Sequence, residues 1–184
     1  MIKATSQPAQ RLIPRLGPLS MMAGAVVLLA GCTSMAELPE GSTYAQVQQQ
    51  YGQPTVACDN APYTLRVWSQ QPMGYYAWRG VFDDQDQLIE IQQVLSDPMF
   101  AQVEQDIGDN SWDLDKVGCN FGPPAEQSVA PYIGVRMKVW SYRYKQNGVW
   151  PMMMNIFFDD NDQVHALQRS MDPRDNDGQL WMGL

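Results

Sequence analysis

Three cysteines, one histidine and three acidic runs are the side chains of this 184-residue chain whose types are suited to chemistry. A Ser-His-Asp or Cys-His nucleophilic site would have to use His165, the only imidazole present. His165 follows Phe158-Asp159-Asp160 in a strand-like run and reads most simply as a half-exposed strand residue. Zinc chemistry needs several His or Cys ligands, and thioredoxin chemistry needs a Cys-x-x-Cys pair; neither pattern occurs. Asp83-Asp84-Gln85-Asp86 and Asp159-Asp160-Asn161-Asp162 lack the alternating Asp-x-Asp-x-Asp-Gly spacing of a calcium loop, so they read as solvated hairpin turns. Asp175-Asn176-Asp177-Gly178 comes closer, but Pro173 stands where the first ligand belongs. No Gly-rich phosphate loop or His-Glu-x-x-His is present. The expectation is a chain without catalytic residues, metal or cofactor, and so not an enzyme.

The cysteines say more. Cys32 closes Leu29-Ala30-Gly31-Cys32, at the end of an apolar run from Leu19 to Gly31 that follows Lys3, Arg11 and Arg15 with no acidic residue between. That is the layout of a secretory signal peptide, and its apolar run is too short for the roughly 20 residues of a spanning helix. Excluding residues 1–31 leaves 153, enough for one ordinary domain or two small ones. Losing three basic residues with the leader moves the net charge from −8 to −11. Such an acidic surface argues against nucleic acid and against a basic patch on anionic lipid. Cys58 and Cys119 remain as an isolated pair, and in an oxidising compartment a bond between them is favoured over two separate buried thiols.

The tetrapeptide at 29–32 also resembles the bacterial lipobox, whose signal is cut before a thioether-lipidated cysteine. The alternative is an ordinary secretory signal with an incidental cysteine. The resemblance implies that Cys32 carries the lipid anchor, with 32–40 as a tether. Thr33 is not the aspartate that favours inner-membrane retention, so the resemblance implies an outer-membrane address facing the periplasm.

The chain after the leader reads as a tandem repeat. Phe82-Asp83-Asp84-Gln85-Asp86-Gln87-Leu88 matches Phe158-Asp159-Asp160-Asn161-Asp162-Gln163-Val164; Val67-Trp68-Ser69 matches Val139-Trp140-Ser141; Gly52-Gln53-Pro54 matches Gly122-Pro123-Pro124. The units are 41–96 and 97–173, with a polar tail at 174–184 expected to be mobile. In the first, Ser42 or Thr43 caps a helix with Tyr44, Val47 and Tyr51 on one face, and Gly52 with Pro54 ends it. In the second, Ser111 is the expected cap of a helix carrying Leu114, Val117 and Phe121. A further short helix precedes it, with Asp97 as cap and Pro98 in the first turn. Strands follow at about 63–69, 75–82 and 87–95, then at 135–144, 149–158 and 163–170. Pro151 argues for an edge strand or a late strand start. The predicted fold class is α+β: a helix or helix pair plus a three-stranded antiparallel meander, duplicated and packed into one two-lobed body.

The order of these blocks resembles the BamE/SmpA/OmlA-like outer-membrane lipoproteins. It runs from a lipobox to Gly41-Ser42-Thr43 with Val47, Gly52-x-Pro54, Val139-Trp140-Ser141-Tyr142-Arg143-Tyr144 and Phe158-Asp159-Asp160 with Gln163-Val164. The departures are Asp86 and Asp162 at that family's hairpin glycine, Trp68-Ser69-Gln70 where a tyrosine is expected, and two units where the founding member has one. The arrangement also looks like the β-lactamase inhibitor protein, which repeats a helix-pair-plus-sheet unit. The resemblances imply a non-catalytic protein-binding role. Its partner would be in the envelope, as in the β-barrel assembly machinery, or a periplasmic enzyme. Independently, strand alternation places Arg136, Lys138, Trp140, Tyr142 and Tyr144 on one face, a composition typical of interface hot spots. The plainer alternative for that face is an amphipathic strand.

Overall fold

A reciprocal cap starts the first helix. Thr43 Oγ1 accepts from the Gln46 amide (3.3 Å), while Gln46 Oε1 accepts from the Thr43 amide (2.9 Å), fixing α1 over Tyr44–Tyr51. Gly52 ends it at φ +80°, a conformation available to glycine at no steric cost. In the computed structural model, which describes residues 34–175, α1 is followed by β1 (Val56–Asn60), β2 (Tyr63–Ser69), β3 (Ala77–Phe82) and β4 (Leu88–Gln93). Then come α2 (Asp97–Asp106), a 3-10 turn (Ile107–Asp109) and α3 (Leu114–Phe121). The chain closes with β5 (Glu126–Tyr132), β6 (Val135–Gln146), β7 (Trp150–Phe158) and β8 (Val164–Met171). The fold is α+β, with three α-helices and two four-stranded antiparallel sheets in the orders β1-β2-β3-β4 and β5-β6-β7-β8. Cys32, the leader and residues 176–184 lie outside the described residues.

Each sheet has one strand more than the three predicted. The additions, β1 (Val-Ala-Cys-Asp-Asn) and β5 (Glu-Gln-Ser-Val-Ala-Pro-Tyr), are short, largely exposed edge strands without an apolar alternation to announce them. Pro131 fits β5 because an edge strand has a side with no ladder partner. Pro151, by contrast, does not mark an edge: β7 lies between β6 and β8, and Pro151 is tolerated as the second residue of the strand. The second capping expectation is also corrected. Asp113, not Ser111, caps α3 by accepting from the Lys116 amide at 2.7 Å, and Asp97 is the first residue of α2, with Ser96 before it.

Detailed geometry recurs between the two halves. Gly52 and Gly122 end α1 and α3 at φ +80° and +79°, and their carbonyls accept from Trp68 Nε1 and the Tyr142 hydroxyl, each at 2.9 Å. Asp86 and Asp162 take left-handed angles (φ +57° and +61°), and Arg66 and Lys138 reach their carboxylates. Asp83 and Asp159 each accept two amides of their own turn, the tight geometry expected of those acidic runs.

The layers follow from side-chain direction. Trp68, Phe82 and Leu88 point to one face of the first sheet and pack with Val47 of α1 and Met35. Val67, Ala77 and Val94 join a larger core with Phe100, Val103, Val117, Phe121, Tyr142, Tyr144, Ile156 and Phe158. Helix α3 is therefore enclosed by both sheets: a Cβ on Gly122 would come within 3.2 Å of Val67 and Ser69, and one on Gly118 within 3.6 Å of Trp140. Besides the shared core, covalent and polar links tie the halves. Cys58 of β1 is disulfide-bonded to Cys119 of α3, with Cα atoms 5.8 Å apart. Arg143 of β6, with its side chain 8 % exposed, donates to buried Asp172 (2.6 Å), the Met73 carbonyl (2.7 Å) and the Tyr75 hydroxyl (2.7 Å) of the β2–β3 loop. Arg174 and Asp175 are also held, by Glu126 and Tyr75, so the start of the tail is docked.

Candidate functional site

Eight residues of α3 span about 12 Å, whereas the twelve residues of β6 run for about 40 Å. A helix that short covers only part of the strand face laid against it. The side chains predicted to share that face do so, but they divide by burial. Tyr142 and Tyr144 are fully buried, packed on Phe121 and Phe100 at ring separations of 5.8 and 5.0 Å. They belong to the core and are corrected out of the contact surface, because α2 and α3 cover this stretch of the strand. Burial pushes the Tyr142 phenol well above its ordinary value. Burial, reinforced by the Asp97 carboxylate, pushes Tyr144 up to about 12.

Beyond the helices the same face is open. Trp140 is half-buried, with its ring 5.5 Å from Phe158 and its edge over Gly118, while Arg136 and Lys138 are exposed. Lys138 is held to Asp162, and Arg136 has no ion-pair partner among the described residues. Trp140 forms one side of a cleft of about 550 Å³. Its other boundaries include Val56, Cys58 and Asp59 of β1, Leu114, Asp115 and Gly118 of α3, Pro123-Pro124, and Gln127 of β5, so two carboxylates line it. The disulfide lies in its wall. Both β1 and β5 are edge strands, so the cleft is walled by the outermost strand of each sheet. Backbone amides and carbonyls without a sheet partner can add an extended strand, while an apolar floor takes alternate side chains.

The β5–β6 hairpin projects at the end of this surface. Tyr132 pairs with Val135 across a two-residue turn, Ile133-Gly134, with φ +46° and +83°. That is a type I′ pattern, in which Asn or Gly is the preferred first residue. A β-branched residue there is strained, and Ile133 is also 87 % exposed, next to exposed Val135 and Val129. This tip was not singled out from the sequence, although Ile-Gly between two strand-like runs carries the signal of a tight turn. The β1 wall was missed with the strand itself. The Cys58–Cys119 pairing was the sequence clue that brings β1 to α3.

Cys32, the expected lipidation site, lies outside the described residues. His165 is an exposed residue of β8, with its ring edge-on to Tyr132 at 5.7 Å. Among the described residues no three His, Cys, Asp or Glu side chains converge on a point that could hold a metal, and no helix is long and apolar enough to cross a membrane. Compared with known proteins, the chain matches no family model, no curated protein and no solved structure.

Proposed function

We propose that this chain is a lipid-anchored lipoprotein of the outer membrane, facing the periplasm, and that it works as a non-catalytic protein-binding module in envelope or β-barrel assembly. The cleft walled by β1 and β5 and floored by Trp140 carries the reading, since it offers two open strand edges beside an aromatic anchor. A protein partner would add an extended segment there. The charged groups in the cleft lining are the carboxylates of Asp59 and Asp115, which suits a partner segment bearing basic side chains, while Arg136 and Lys138 lie further along the same face of β6. We also infer a tandem duplication of units 41–96 and 97–173, supported by the recurring glycine caps, left-handed aspartates and Trp68/Tyr142 bonds to helix-end carbonyls.

Photocrosslinking residues placed at Gln127 and Val129 in intact cells test this. Crosslinks to barrel-assembly components, lost in Trp140→Ala while its circular dichroism stays native, are the expected result. Equal crosslinking by folded Trp140→Ala would overturn it. A second reading, an inhibitor-like module docking on a periplasmic enzyme, is favoured by the projecting apolar tip at Ile133, whose shape suits insertion into a partner's cavity. In that case the crosslinked species would be a soluble enzyme, and Ile133 substitutions would release it.

A further inference from the structure

The opposite face of the first sheet holds a second cleft, of about 640 Å³, lined by none of the residues that line the one bounded by Trp140. It arises where α1 ends. Eight residues of helix reach about 12 Å, and the β2–β3 ladder continues past Tyr51. Trp68 stands opposite Trp78, and two residues further, past Ser69 and Ala77, Gln70 donates its backbone amide to the Tyr76 carbonyl at 2.9 Å. These two rungs lay Trp68, Trp78 and Tyr76 as a floor, and Tyr51, Gln53 and Met35 form the sides. Tyr76 is 40 % exposed.

The lining has an unusual charge balance for this protein. Charged residues are 17 % of the chain, which carries a net charge of −8, yet none of the ten described residues that line the cleft is charged; the Glu37 carboxylate acts on Tyr51 from outside the lining. Its polar groups are amides and hydroxyls: Gln53, Gln70, Thr55, Ser69 and Ser34. Several are already committed in one direction and available in the other. Gln53 Oε1 accepts from the Tyr44 hydroxyl, leaving its amide hydrogens to donate, and Ser69 Oγ accepts from the Gln71 amide, leaving its proton. A ligand complementary to this surface is uncharged, presents flat C–H faces to aromatic rings, and offers hydroxyl or carbonyl oxygens at its edges.

We propose that this cleft binds a neutral saccharide. Pyranose rings have the required flat apolar face and polar rim, and joined rings follow each other closely. The strand positions that carry these rings stand about 5 Å apart across the ladder and about 6.7 Å apart along one strand. A polyproline II peptide also docks on aromatic grooves, but it repeats its contacts once per turn, at about 9.3 Å, which fits this grid less well. The inference is independent of the protein-binding reading, since the two clefts share no lining residue.

Saturation-transfer NMR of the full-length protein, with a panel of neutral oligosaccharides built on glucose, mannose, galactose and N-acetylglucosamine, tests it. At least one member should show saturable transfer and quench tryptophan fluorescence, with affinity unchanged at high salt. Trp78→Ala and the more exposed Tyr76→Ala should each weaken binding at least tenfold, while Trp140→Ala leaves it intact. No saturable binding by any panel member to the parent protein overturns the proposal. So does binding retained by both folded variants, or displacement only by a proline-rich peptide.

Discussion

Replacing Arg143 with methionine should destabilise the fold far more than removing any surface cation. The Arg143 side chain is 8 % exposed and that of its partner Asp172 is fully buried. The guanidinium bonds Asp172 Oδ2, the Pro72 and Met73 carbonyls and the Tyr75 hydroxyl, and its centre lies 4.4 Å above the Tyr75 ring. Methionine keeps most of the apolar stem, so the loss isolates the charge and its bonds. Asp172 would retain an amide from Arg174 but no cation in direct contact. Breaking a buried pair from one side costs about 3–5 kcal/mol. Lys138→Met, which removes an exposed pair with Asp162, should cost about 0–1 kcal/mol and serves as the control. Urea unfolding of the oxidised protein, followed by far-ultraviolet circular dichroism and tryptophan fluorescence, measures both. Arg143→Met/Asp172→Leu should be more stable than the sum of its single variants, because no buried charge is left unpaired. A cost below about 1 kcal/mol for Arg143→Met, or strict additivity in the double variant, would refute the assignment of this cluster as the polar link between the halves.

The Cys58–Cys119 bond closes a separation of 61 residues, so Cys58→Ser/Cys119→Ser should lose about 4 kcal/mol by the chain-entropy relation, read as a lower urea midpoint. Tyr144, held at about 12 when folded against about 10 unfolded, binds its proton more tightly in the native state. Its contribution is fully present below pH 10 and drains away as pH rises from 10 to about 12, in the same direction as that of Tyr142. Melting curves across this range should therefore fall more steeply for the parent than for Tyr144→Phe. Ile133→Asn creates an Asn-Gly type I′ turn and should raise stability by about 1 kcal/mol, a Tm gain of about 2–4 °C. A lower Tm would show that Ile133 makes contacts its exposure does not suggest.

Much of this architecture was legible because caps and turns are local chemistry. Thr43 with Gln46, Gly52 before Pro54, and the Asp83 and Asp159 turns each act within about four residues, so the sequence displays their partners side by side. The edge strands β1 and β5 were not legible. Their stability comes from one neighbour across a ladder, and polar, exposed residues satisfy that as well as apolar ones. Asp113 and Ser111 are both acceptable caps by local chemistry, and long-range pairing selects Asp113. The Leu114 amide donates to the Asp162 carbonyl and the Trp112 carbonyl accepts from Val164, which pins the start of α3 to the β7–β8 turn.

The error at Tyr142 and Tyr144 has a different cause, and it explains where both clefts lie. Alternation determines which side chains share a face, but the length of the covering helix determines how much of the face is shut. Trp68 and Trp140 occupy corresponding places in the two sheets, each on the side facing an eight-residue helix, α1 or α3. Under each helix the face closes into core, with Phe82 in one half and Tyr142 in the other. Past the helix it opens, and the boundary tryptophan becomes the edge of a cleft. The two openings then diverge through what stands opposite. Trp140 meets the first sheet, because α3 is enclosed, and so borders a channel between two edge strands suited to a polypeptide. Trp68 has no second sheet opposite it, only α1 and Met35, and its opening is an aromatic floor ringed by amides and hydroxyls. One structural mismatch, short helix on long strand, thus yields two surfaces of different chemistry, and only the wall facing each tryptophan decides which.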